Sequence, residues 1–195
     1  MRVIAGSAGG LKLRVPKRVS RPTADRVREA LFSILGDRVI GARVLDLFAG
    51  SGSLGIEALS RGAESVVFVE QSRDAAHTIR SNLKVTGLDE HAEVHARRVE
   101  LFLRKGGIAS PFDLIFVDPP YRKETRDTER DTDFLSDLLA EGRLPEFLAA
   151  DGLMVLERMS GADELPFEDG WEKIADRRYG GTEIIILAQR RALKE

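Results

Sequence analysis

The chain has no cysteine, one tryptophan, two tyrosines and three histidines in 195 residues. Without cysteine there are no disulfides, no thiolate metal sites and no cysteine nucleophile. One nucleic-acid chemistry goes with them, methylation of cytosine at carbon 5, which normally runs through a cysteine adduct. His77, His91 and His95 make no metal set, since His77 falls in a predicted helix and the others lie at a predicted strand without carboxylate or cysteine companions. No metal is expected. Long apolar runs are missing too: nothing approaches the roughly 20 residues that a membrane span needs. The opening Met1-Arg2-Val3-Ile4-Ala5-Gly6 lacks the apolar stretch of a secretory signal, so the expectation is a cytoplasmic protein, monomeric and away from membranes.

What is present suits one soluble domain with a small appendage. Hydrophobic residues make up 43% of the chain, enough for a sizeable core. Net charge is only −2, yet residues 1–42 hold nine Lys/Arg against three acids, +6 there and −8 in the remainder. A basic appendage on an acidic body points to an N-terminal part that approaches phosphates, with a solvated basic face as the alternative.

Apolar residues at 2–6 and 11–15 around Ser7-Ala8-Gly9-Gly10 predict a β-hairpin, and Thr23 predicts the N-cap of a helix with Val27, Ala30, Leu31, Ile34 and Leu35 on one face. From Arg43 the pattern alternates: strand 43–47, helix 52–60, strand 65–70, helix 73–83, strand 92–96, helix 98–104, strand 112–117. Such alternation predicts a parallel sheet covered on both faces. A charged loop, 122–131, precedes helix 132–140, a short helix near 144–149 and strand 152–158. Strands near 171–178 and 182–189 flank Tyr179-Gly180-Gly181, a hairpin turn, so the sheet ends mixed.

Strand 43–47 runs into DLFAGSGSLGIEAL, which contains G-x-G-x-x-G at Gly50, Gly52 and Gly55, and the second strand ends about 20 residues later in Glu70. Glycines admit a ligand close to the backbone, and an acid at that distance takes ribose hydroxyls. Alone, this signature reads as an NAD site; the bland alternative is a tight strand-to-helix turn. Two features turn the reading toward S-adenosylmethionine. Asp46 lies at the strand end before the glycines, where a carboxylate suits a ligand with an ammonium group. The second is Asp118-Pro119-Pro120-Tyr121, which follows the fourth strand and so lies at the carboxyl edge of the same sheet.

An exocyclic amine on a nucleobase is a poor nucleophile because its lone pair is delocalised into the ring. Acceptors holding both its hydrogens turn the lone pair toward an incoming methyl group. Asp118 supplies a carboxylate acceptor, and the Pro119 carbonyl belongs to a peptide whose nitrogen is that of Pro120, so no N–H competes there. Tyr121 offers a flat face to a base swung out of its stack. A rigid strand-ending turn is the competing reading.

Several segments in order, RVIAGSAGGLKLRVP, RPTADRVREALFSIL, VLDLFAGSGSLGIEALSRGA, FVE, DPPY and YGGTEI, resemble the RsmD family, bacterial methyltransferases that modify N2 of a guanine in 16S ribosomal RNA. The resemblance covers nearly the whole chain. It implies a Rossmann-like α/β fold, a seven-stranded, mostly parallel sheet with a C-terminal antiparallel hairpin. Residues 1–42 would form a basic β-hairpin and helix extension that positions RNA, and 43–195 the S-adenosylmethionine-dependent methyltransferase domain. Asp46, Phe48, Ala49, Gly50, Ser51 and Gly52 would hold the methionine part of the cofactor, Glu70 with Gln71 the ribose end, and the third strand end the adenine. There Arg98 stands where relatives usually carry a short polar or acidic residue. Asp118 to Tyr121 would be the base clamp, and Arg2, Lys12, Arg14, Lys17, Arg18 and Arg21 the RNA contacts. The partner would be 16S rRNA within a small subunit or its assembly intermediate.

Arg21, in Arg-Pro-Thr, either reaches RNA or the cofactor rim, or belongs to a segment that simply starts a helix. The loop 122–131 is either a lid over a flipped nucleotide or a solvated loop. Rival functions are an amino-methyltransferase acting on adenine or cytosine in DNA, a noncatalytic RNA-binding assembly factor, and an NAD oxidoreductase.

Overall fold

The structure, a computed structural model, describes residues 1–16, 25–105, 111–120, 135, 138–139, 143–162, 165 and 170–190. Helix α1 spans Asp25–Leu35, β1 Arg43–Leu47, α2 Ser53–Ser60, β2 Ser65–Glu70, α3 Arg73–Thr86, β3 Ala92–Ala96, α4 Val99–Lys105 and β4 Phe112–Val117. After a short helix, Leu144–Phe147, come β5 Leu148–Met159, β6 Trp171–Tyr179 and β7 Thr182–Gln189. The seven strands form one sheet in the order β3-β2-β1-β4-β5-β7-β6. The first five are mutually parallel, and β7 runs antiparallel to both β5 and β6.

The inner strands β2, β1, β4, β5 and β7 are largely apolar on both faces because both faces are covered there, while the outer strands β3 and β6 are not. Side chains alternate across the sheet with period two, which splits the core into two clusters. Val44, Val66, Phe68, Leu114, Phe116, Val155, Ile184 and Ile186 point to the side of α1, α2 and α3. Leu45, Leu47, Val69, Ile115, Val117, Leu156, Ile185 and Leu187 point to the side of α4, Leu144 and Phe147, where Leu135, Leu138 and Leu139 also pack. Those three leucines are what the structure describes of the helix expected at 132–140. Val3, Ala8 and Leu13 sit in the first cluster, so the apolar side chains of the N-terminal extension share the core of the sheet.

Three elements depart from the sequence reading. The N-terminal hairpin is present but short: besides one antiparallel bridge, Arg2 with Lys12, Val3 N–H bonds to the Leu11 carbonyl at 2.9 Å, Gly10 N–H to the Val3 carbonyl at 2.9 Å and Leu13 N–H to the Met1 carbonyl at 3.1 Å. Beyond Val3 the backbone groups go to side chains: Ile4 and Ala5 N–H donate to the Glu57 carboxylate at 2.7 and 3.1 Å, and Ser60 Oγ donates to the Ala5 carbonyl at 2.5 Å. A ladder cannot continue where its donors are already taken. Helix α3 runs past the expected residue 83 to Thr86, where Gly87 at φ +69° ends it and Leu88 N–H returns to the Leu83 carbonyl at 3.0 Å. Strand β5 starts at Leu148 instead of 152, with a bulge between the Phe112–Leu148 and Leu114–Leu153 pairs. The outer strand β6 is mostly exposed and carries a second bulge between Lys173 and Ala175. Thr23, the expected N-cap, and the loop 122–131 lie outside the described residues. Among the described residues, no helix is long and apolar enough to cross a membrane, and no three His, Asp or Glu side chains group as metal ligands.

Strand order fixes where a ligand can sit. From β1 the chain moves outward through β2 and β3, then crosses back to place β4 on the other side of β1. Open α/β sheets bind ligands at that reversal, beyond the carboxyl ends of the two central strands. Leu47 pairs with Val117, so the segments that begin at Phe48 and Asp118 leave the sheet side by side, about 5 Å apart.

Gly55 lets α2 lie close against β2: a Cβ there would stand 2.3 Å from Phe68 Cε1 and 2.8 Å from Val66 Cγ1. Gly55→Ala should therefore destabilise the fold by roughly 1–3 kcal/mol, a fall in melting temperature of about 2–4 °C per kcal/mol in a chain of this size. Thermal unfolding followed by circular dichroism checks this, and an unchanged midpoint would contradict the packing described.

Candidate functional site

Beyond β1 the backbone takes three left-handed turns in quick succession, Phe48 at φ +59°, Gly50 at +55° and Gly52 at +78°. Glycine adopts these angles freely, but for Phe48 the conformation costs about 1–2 kcal/mol. Such strain is held only where neighbouring structure dictates it. Ala49 N–H bonds to the Val69 carbonyl at 3.1 Å, and Gly52 N–H to the Ala49 carbonyl at 2.7 Å. Gly50 N–H donates to Glu70 Oε2 at 2.9 Å, while Glu70 Oε1 accepts Ser72 N–H at 2.7 Å. Glu70, only 9% exposed, thus holds the loop with one oxygen and the start of α3 with the other. Each carboxylate oxygen keeps a second lone pair for a ligand hydroxyl.

Asp46 lies beneath the loop. It is 1% exposed, and its Oδ2 accepts the Gly55 N–H at 3.0 Å. The N-cap of α2 is Gly52, which has no side chain to give, so Asp46 reaches in from the strand to satisfy an amide of the first turn. Burial pushes its carboxyl up from 3.8 to about 7, with the nearby Glu70 charge adding to the effect and the Gly55 hydrogen bond opposing it. A cation arriving beside Asp46 would favour its ionised form. Two carboxylates around bare backbone are a donor and acceptor set that fits a cationic nucleoside ligand.

From the neighbouring strand, β4, come Asp118, half-buried, Pro119, buried, and Pro120, half-buried. Tyr121 lies outside the described residues. Gln71 is exposed next to Glu70. Arg98 follows β3 two strands away from β1, at the same edge, and its Nε donates to Glu100 Oε2 at 3.3 Å on the surface. Ser51 is buried, with its Oγ 3.6 Å from Met1 Sδ. The structure thus gathers Asp46, the loop 48–52, Glu70, Gln71 and Asp118–Pro120 along one edge of the sheet, and Arg98 at its β3 end.

Of the basic residues, Arg2, Lys12 and Arg14 are exposed on the N-terminal turn, Arg2 lying 3.7 Å from Asp25. Lys17, Arg18 and Arg21 lie outside the described residues. Arg28, counted by sequence with the basic surface, is fully buried. It donates to the Arg2 carbonyl at 2.5 Å and to Asp25 Oδ1 at 2.9 Å, while its Nε and Nη1 find no acceptor among the described residues. Its charge is therefore withdrawn from the surface that any phosphate would meet, and burial lowers its pKa.

Sequence reasoning passed over Glu57, Ser60 and Asn82, all buried and all hydrogen-bonded to the backbone of residues 4–14. A signal existed for Asn82. It stands between Ile79 and Leu83 on the apolar face of α3, where a polar side chain has to have partners.

A seven-stranded sheet of this order, with a glycine loop over its first strand and an acid ending its second, defines the Rossmann-like methyltransferase class. Comparison with known proteins narrows the class. Residues 1–188 match the family described as Conserved hypothetical protein 95. Bacillus subtilis (strain 168) YlbH is 40% identical over 194 residues, 97% of this chain and 100% of its own. Ribosomal RNA small subunit methyltransferase D of Escherichia coli (strain K12) is 38% identical over 142 residues, 70% of each chain. The solved structure of Escherichia coli yhhF covers 98% of both chains with a TM-score of 0.81 at 30% identity. That of the Thermus thermophilus hypothetical protein TTHA0928 covers 96% of this chain and 99% of its own, with a TM-score of 0.79 at 34% identity. The chain belongs to this family, that of ribosomal RNA small subunit methyltransferase D.

The raised pKa of Asp46 has a signed consequence. The folded chain holds this proton more tightly than the unfolded one, so the contribution is complete below about pH 4 and is lost as pH rises to about 7. Asn at this position does not titrate, and its Oδ1 still accepts the Gly55 N–H. The stability of Asp46→Asn relative to wild type should therefore grow from pH 4 to 7 and stay level above. Paired thermal melts across pH 4–9 measure it, and a gap independent of pH would show that Asp46 does not titrate in this window.

Proposed function

We propose that this protein transfers a methyl group from S-adenosylmethionine to the exocyclic N2 amine of a guanine in 16S ribosomal RNA. The observation that carries the reading is the exit of the glycine loop and of Asp118-Pro119-Pro120 from adjacent strands, β1 and β4, at the reversal of strand order. The names of its relatives support the rRNA substrate, and the guanine N2 assignment rests on the family resemblance and on the amine-binding chemistry of Asp118 and Pro119.

S-adenosylmethionine, when bound, supplies an electrophilic methyl carbon on a sulfonium. The work of the protein is to bind and orient. Glu70 would accept the ribose hydroxyls while still fixing Gly50, with Gln71 beside it. Loop residues Phe48 to Gly52 would line the methionine part, with the Asp46 carboxylate beneath them answering the ammonium charge. Arg98, paired to Glu100, stands at the β3 end where the adenine would lie.

Asp118 and the Pro119 carbonyl would take the two amine hydrogens of the base, and Tyr121 would stack on its ring. Acceptors aimed at charge developing on nitrogen act most strongly in the transition state, which is where they raise the rate. Two successive prolines stiffen the peptide that carries the second acceptor, so less ordering is needed when the base arrives. Arg2, Lys12 and Arg14, with Lys17, Arg18 and Arg21, would meet backbone phosphates and set the register of the RNA without reading its sequence.

Asp118→Ala should lower methyl transfer to undermodified small subunits by about 10²–10³-fold, with affinity for S-adenosylhomocysteine within twofold of wild type. Radiolabel transfer and calorimetry measure the two quantities, and mass spectrometry of the product nucleosides identifies the base. Full activity in the variant would overturn the clamp. Methylated adenine or cytosine in duplex DNA, with no product in rRNA, would overturn the substrate.

A further inference from the structure

We propose that Asn82 is a positioning residue that couples the RNA-facing extension to the cofactor loop, so that RNA and cofactor each tighten the binding of the other. The inference rests on the functional reading above. Asn82 is 1% exposed, on the inner face of α3. Its Oδ1 accepts the Arg14 N–H at 2.8 Å, and its Nδ2 donates both to the Arg14 carbonyl at 2.9 Å and to the Ser51 carbonyl at 3.0 Å. Both amide hydrogens are used. One side chain thus pairs with residue 14 as a strand would and, with its remaining hydrogen, holds the peptide that joins Ser51 to Gly52.

The surroundings make this joint stiff. Ile79, one turn earlier on α3, lies so close to Gly52 that a Cβ there would stand 3.2 Å from both its Cγ atoms. The rest of the extension is fixed to α2, the helix that leaves the loop. Glu57 takes the N–H groups of Ile4 and Ala5, the Ser60 carbonyl accepts Ser7 N–H at 2.7 Å, and Ser60 Oγ accepts Ala8 N–H at 3.0 Å. Both helices that flank the glycine loop therefore carry the basic extension. A phosphate drawing on the Arg14 side chain acts on a backbone that Asn82 ties to Ser51. A ligand ordering Ser51 acts back along the same bonds. By linkage the two effects on affinity are equal.

Two measurements test this on the whole chain. In the wild type, S-adenosylhomocysteine should slow hydrogen exchange of the Arg14 amide at least threefold, together with the amides of Gly50 to Gly52. Protection of the loop with Arg14 unchanged overturns the coupling. Asn82→Ala should weaken S-adenosylhomocysteine at least fivefold by calorimetry. It should also abolish the gain that this ligand gives to filter binding of undermodified small subunits. Leu83→Ala, which opens a cavity in the same helix and removes no hydrogen bond to Arg14 or Ser51, should lose thermal stability yet keep both properties. Wild-type ligand affinity in folded Asn82→Ala, or an equal loss in Leu83→Ala, sinks the proposal. A wild-type protein that fails to bind S-adenosylhomocysteine overturns the functional reading and this inference with it.

Discussion

A loop of glycines has no side chains with which to satisfy its own amides, and the site depends on how that problem is solved. Two carboxylates from the ends of neighbouring strands take the amides instead, Glu70 those of Gly50 and Ser72, Asp46 that of Gly55. The bare backbone that lets a ligand approach is thereby held in one conformation, including the unfavourable angle at Phe48. Burying Asp46 to do this makes its charge costly, as its raised pKa records. A cation placed beside that carboxylate would favour its ionised form.

The extension is bound by the same means. Its few apolar side chains merge with the core of the sheet, and its backbone, beyond its own short hairpin pairing, is tied to Glu57, Ser60 and Asn82. Whatever Arg2, Lys12 and Arg14 touch is registered against α2 and α3, and through them against the loop.

Most of the architecture was legible because the parallel strands are short apolar runs and β7 returns after two glycines. The glycine fingerprint and Asp-Pro-Pro are local in sequence and could be read directly. Strand order could not, since it is a property of pairings between distant segments, and it is strand order that puts Phe48 beside Asp118. The N-terminal hairpin is shorter than its sequence pattern predicts for the same reason: Glu57 and Ser60 take the N–H groups of Ile4, Ala5 and Ala8 from more than 50 residues away. Arg28 shows the limit of counting charge, because a guanidinium turned inward to the Arg2 carbonyl adds nothing to a basic surface. The apolar stripe of α3 stops at Leu83, while backbone capping at Gly87 carries the helix on to Thr86, so its end is not visible in the hydrophobic pattern.

Strand β6 is the outermost of the sheet, and among the described residues no strand pairs with its outer edge. Along it stand Glu172, Lys173, Asp176, Arg177 and Arg178, charges of both signs, and the bulge at Lys173 breaks the straight run that a visiting strand would need. Mixed charge and a kink make this border a poor template for a further strand.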